Sequence, residues 1–72
     1  MTEYDAQTPK TKTEIKMAAS VEFGESHTRD GDKFFSAGGM EVGHLRRDFD
    51  GDLILVKTSG DIDRMVAYFS HA

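Results

Sequence analysis

Apolar and polar residues alternate most regularly between Glu14 and Phe23. Ile15, Met17, Ala19, Val21 and Phe23 occupy one set of alternate positions, and Glu14, Lys16, Ala18, Ser20 and Glu22 the other. A period of two is the signature of a strand, because successive side chains leave opposite faces of the pleat. The pattern therefore predicts a first strand over 14–23. Lys33-Phe34-Phe35-Ser36-Ala37 predicts a returning strand, which Gly38-Gly39 interrupts with a bulge, bend or short loop. Met40-Glu41-Val42 resumes the alternation. Leu45 falls out of phase with Met40 and Val42, which places a second irregularity near Gly43.

Leu53-Ile54-Leu55-Val56 is apolar at four consecutive positions, so both faces of that strand require cover. It is expected in the middle of the sheet, with a helix over one face and a curled sheet, the tail or another molecule over the other. Asp30-Gly31 and Asp50-Gly51 supply the turns, since both residue types tolerate the positive φ that tight hairpins require. At the end of the chain, Thr58-Ser59-Gly60-Asp61 has the composition of a helix start. Ile62, Met65, Val66 and Phe69 follow at i, i+3, i+4 and i+7, one apolar stripe of an amphipathic helix of about three turns.

The fold class that results is α+β: a small antiparallel β-meander of three to four strands with one C-terminal α-helix packed on one face. Residues 1–12 carry the only proline, Pro9, and almost nothing apolar besides Tyr4, so they are expected to form a flexible N-terminal tail. Residues 13–72 form a single domain.

Composition narrows the function more than it narrows the fold. A chain of 72 residues buries only ~60% of the surface that its unfolded form exposes, so its stability margin is thin. It has no cysteine, which removes disulfides and thiolate–metal sites as staples and fits a reducing compartment. The start of the sequence is polar, and the longest apolar run is the four residues from Leu53 to Val56, too short to cross a bilayer. A cytoplasmic protein (host cytoplasm, if viral) is expected. Thirteen acidic residues against nine basic ones leave a net charge of −4, which disfavours polyphosphate binding by a broad positive field.

No motif for catalysis, cofactor or metal stands out. Asp48, Asp50 and Asp52 resemble a calcium loop, but Gly51 falls at loop position 4 and Ser59 at position 12, where an EF-hand needs glycine at 6 and glutamate at 12. His27, His44 and His71 are spaced by 17 and 27 residues and match no local ligand pattern. The Gly38-Gly39-Met40-Glu41-Val42-Gly43 segment lacks the Gly-Lys-Ser/Thr ending of a phosphate loop, and no Gly-x-Ser-x-Gly elbow is present. An enzyme is not expected, and neither is a cofactor.

What remains is a non-catalytic protein-binding module acting by surface contact, or a homodimer that buries the same surface. In size and composition the chain resembles short accessory proteins of phages and mobile elements, including anti-CRISPR-type inhibitors. That resemblance implies a host protein as partner, with the acidic turns Asp30, Asp32, Asp48, Asp50 and Asp52 facing the basic groove of a nucleic-acid-handling complex. The alternative is single-stranded nucleic-acid binding through an aromatic and basic sheet face built from Phe34, Phe35, Arg46 and Arg47. Phe34 and Phe35 are adjacent, so they must point to opposite sides of their strand.

Overall fold

In a computed structural model, which describes residues 8–69, one helix precedes five strands. Helix α1 spans Pro9–Phe23, and the strands are β1 (Thr28–Asp30), β2 (Lys33–Phe35), β3 (Glu41–Arg47), β4 (Leu53–Ser59) and β5 (Ile62–Tyr68). The strands form one antiparallel sheet in the order β1-β2-β3-β4-β5, a meander in which every strand pairs with its sequence neighbour. The α+β class and the meander are as expected, but the sheet has five strands and the helix lies at the other end of the chain.

The expected first strand is helix α1. Thr8 caps it by accepting the Thr11 N–H at 3.2 Å, Pro9 occupies the first turn, where its missing N–H is harmless, and Gly24 ends it at φ 91°. Ile15 and Ala19 are fully buried, with Ala18 and Phe23 partly buried against the same core. These residues sit at i, i+3, i+4 and i+8, one face of a helix. The alternation that imitates a strand depends on Met17 and Val21, and both point to solvent. Residues 9–12, expected in the tail, belong to the first turns of α1; residues 1–7 lie outside the described residues.

The expected C-terminal helix is strand β5. Ser59 pairs with Ile62 across the two-residue loop Gly60-Asp61, so the Ser-Gly-Asp sequence is a hairpin turn with Gly60 at φ 64°. A β-bulge then explains the helical spacing. Leu55 pairs with Ala67 and Val56 with Met65, which leaves Val66 as an extra residue. A bulge places two successive side chains on nearly the same face, here Val66 and Ala67, both packed on the core. The bulge lets Ile62, Val66 and Phe69 share the helix side at spacings of four and three, whereas Met65, the remaining member of the expected stripe, lies on the open face.

A second bulge at Val42 lies between β2 and β3, where Phe34 pairs with Gly43 and Phe35 with Glu41. It is the irregularity that brings Leu45 back into phase with the core. At Gly43 itself the sheet touches the helix, since a Cβ there would collide with the Phe23 ring and the Val56 carbonyl oxygen.

The core lies between α1 and one face of the sheet: Ile15, Ala19, Phe34, Leu45, Leu53, Leu55 and Phe69. β4 is apolar on both sides, as expected, with Leu53 and Leu55 under the helix and Ile54 and Val56 on the opposite, open face. All four are buried. No described helix is long and apolar enough to cross a membrane.

Candidate functional site

The meander puts the β1–β2 and β3–β4 turns at the same end of the sheet. The first is the two-residue loop Gly31-Asp32, closed by the Asp30–Lys33 pair and tied to β3 by the Leu45 N–H, which donates to the Asp32 carbonyl at 2.7 Å. The second runs from Asp48 to Asp52 and reaches further out, because β3 continues past Leu45 to Arg47 before it turns. This end therefore collects Asp30, Asp32, Asp48, Asp50 and Asp52.

The longer turn is built by its own aspartates. Asp48 Oδ1 accepts the backbone N–H of Asp50 at 2.9 Å and of Asp52 at 3.0 Å, an Asx-type arrangement that folds the loop back on itself. The Gly51 N–H donates to the Asp48 carbonyl at 3.1 Å, and Arg47 donates from its guanidinium to the Gly51 carbonyl at 3.0 Å. Gly51 sits at φ 81°, a conformation open to glycine at little cost.

Asp48 holds the two flanking backbone groups, Arg47 and Asp52 anchor the base, and Phe49 is left at the tip with its side chain fully exposed. An aromatic ring is thus held in solvent between the carboxylates of Asp48 and Asp50.

The five aspartates are not equivalent. Asp30 and Asp50 are exposed and Asp32 and Asp48 half-buried, whereas Asp52 is buried and accepts a hydrogen bond from the Tyr68 hydroxyl on β5. That bond raises the Tyr68 pKa above 10.0, with smaller contributions from desolvation and from the negative charges of Asp52, Asp48 and Asp50. Asp52 is thus a pillar of the turn and not part of its outer surface. Carboxylate oxygens of Asp48, Asp50 and Asp52 lie within 4.8 Å of one another; Asp48 accepts from the loop's own N–H groups and Asp52 from Tyr68.

The residues of the aromatic and basic alternative are not brought together. Phe34 is in the core, packed on Phe23 and His27 at ring-centroid distances of 5.4 and 5.8 Å, with the Arg29 guanidinium 5.7 Å from its ring. Phe35 points to the open face, half-buried, beside Glu41 on β3. Arg46 is exposed on the same face but five residues further along β3, a distance of ~17 Å in a strand. Arg47 belongs to the acidic turn.

The open face carries one further feature. A groove of about 280 Å³ is lined by His44 and Arg46 from β3, Ile54 and Val56 from β4, and Asp63 and Met65 from β5. None of these side chains is a hydroxyl or thiol nucleophile. The sequence flags the acidic turns. It gives no signal for the groove, whose residues are joined by strand register alone. Comparison with protein-family models, with curated proteins and with solved structures finds nothing that matches this chain.

Proposed function

We propose that this chain is a non-catalytic protein-binding module that docks through the acidic end of its sheet, with Phe49 as the anchor. The observation that carries this reading is the fully exposed Phe49 ring between Asp48 and Asp50, on the same sheet end as Asp30 and Asp32. Large aromatic side chains held in solvent are disproportionately the hot spots of interfaces, where they fill a pocket while polar neighbours form the rim. The rim here is of one sign, so the complementary surface is basic with an apolar pocket at its centre. Basic clefts of that kind belong to proteins that handle nucleic acids, which agrees with an inhibitor of the phage or mobile-element type.

The test is capture by the tagged chain from a lysate of its source cell, with and without nuclease. Phe49→Ala and Asp50→Lys are compared with Met40→Ala, whose exposed side chain lies at the opposite end of the sheet. Phe49→Ala is expected to weaken capture by about thirtyfold, the ~2 kcal/mol of a hot-spot residue, while Met40→Ala leaves it unchanged. Equal capture by all variants refutes docking at this end. Loss of capture on nuclease treatment, with salt-dependent retention of the chain on single-stranded DNA resin, instead promotes nucleic-acid binding through Phe35 and Arg46.

A further inference from the structure

The open face of the sheet contains a groove and, directly beside it, a ridge that would fill that groove in another molecule. Strand register defines both. Arg46, Ile54 and Tyr68 are level with one another across β3, β4 and β5, and so are His44, Val56 and Met65. Ile54 and Val56 are buried and form the floor, while Met65 and Tyr68 stand up along β5, each 55% exposed. Ridge and floor run parallel on adjacent strands, ~4.8 Å apart.

We propose that this face is closed by the same face of a second copy of the chain, about a two-fold axis running along the strands between β4 and β5. An isologous contact requires a surface to be complementary to itself. The axis proposed here lays β5 of each copy over β4 of the other, so the ridge of Met65 and Tyr68 enters the facing groove twice. A two-fold axis across the strands instead sets ridge on ridge and leaves both grooves empty.

Charge agrees with shape. The same operation carries Arg46 and His44 of one copy to the outer side of β5 in the other, next to Tyr68, whose hydroxyl is bonded to Asp52, and near Asp63. The cation Arg46 therefore meets an aromatic ring, with the Asp63 carboxylate nearby. The acidic turns of the two copies emerge on the same side, but the ~10 Å between packed sheets already exceeds the ~8 Å screening length at physiological salt. This contact is separate from the acidic end, and the dimer would present two Phe49 rings in one direction.

Sedimentation of the full chain over micromolar to millimolar concentration tests the proposal. The weight-average mass is expected to rise from 8.0 kDa towards twice that value. Met65→Lys should weaken self-association at least tenfold and Met65→Leu should preserve it. Ile62→Lys and Arg64→Glu, which alter β5 on the helix side of the sheet, should leave it unchanged. A single 8.0 kDa species at every concentration overturns the proposal. So does a dimer insensitive to Met65→Lys, or one lost in Ile62→Lys, which would indicate edge-to-edge strand pairing. Amide resonances followed on dilution give an independent reading without any variant: shifts centred on His44, Val56 and Met65 support the contact, and shifts centred on α1 or Phe49 refute it. Phe49→Ala should weaken partner capture by about thirtyfold and leave the dimer intact, so failure of one reading is distinguishable from failure of the other.

Discussion

The two faces of this sheet are made from the same strands and solve opposite problems. Under α1, Ile15, Ala19, Phe34, Leu45, Leu53, Leu55 and Phe69 pack into a core, and contact is so close that Gly43 has no room for a side chain. On the other side, Ile54 and Val56 are flanked by His44 and Arg46 of β3 and by Asp63 and Met65 of β5, and Met65 and Tyr68 remain half in water. The helix face is specified by volume and the open face by register. One face therefore closes against the molecule's own helix, while the other presents Met65 and Tyr68 outward.

Substitutions that act on this contrast should fall in a graded order. Leu55→Ala, on the helix face, removes a fully buried side chain and should destabilise the fold by about 3 kcal/mol, a large part of the stability of so small a domain. Denaturant unfolding followed by circular dichroism measures it. Gly43→Ala drives a methyl group into the Phe23 ring and the Val56 carbonyl and should cost about 2 kcal/mol by overpacking; a neutral result in the same assay would show that helix and sheet are not in contact there. Thr8→Ala deletes the cap of α1 and should lower the unfolding midpoint by the equivalent of about 1 kcal/mol.

Open-face changes should be smaller still at neutral pH. Met65→Ser is expected to stay within about 0.5 kcal/mol in the monomer, the usual range for exposed positions. Tyr68 adds a pH dependence. Its folded pKa lies above 10.0, so the stability it contributes is complete below pH 10 and is lost as pH rises through the folded value. Unfolding midpoints measured from pH 8 to 12 should fall at the alkaline end, and Tyr68→Phe should flatten that fall.

Much of the sheet is legible from local chemistry. The Asp-Gly turns, the apolar run of β4 and the out-of-phase Leu45 all correspond to features of the fold, because turns and bulges depend on residues close in sequence. Helix and strand exchange places for a reason that periodicity alone cannot resolve. Met17 and Val21 extend an alternation without joining the core, and the bulge at Val66 converts a period of two into helical spacing. The cues that separate the two cases are caps: Thr8-Pro9 before α1 and Gly24 after it, against the two-residue Gly60-Asp61 loop before β5. At the site, the acidic turns are readable as a group. Burial of Asp52 is not, because its partner Tyr68 is sixteen residues away. Register decides between Phe34 and Phe35, and register is a property of the finished sheet.

The position of α1 bears on how the chain is made. Every strand pairs with its neighbour in sequence, so the sheet can grow hairpin by hairpin with little loop closure, as expected of a fast folder. The helix contacts β2 and β4, the latter beginning thirty residues after α1 ends. A fifteen-residue helix is marginal by itself in water. During synthesis α1 therefore emerges before the sheet and waits, its apolar stripe uncovered, until most of the sheet has followed it out of the ribosome.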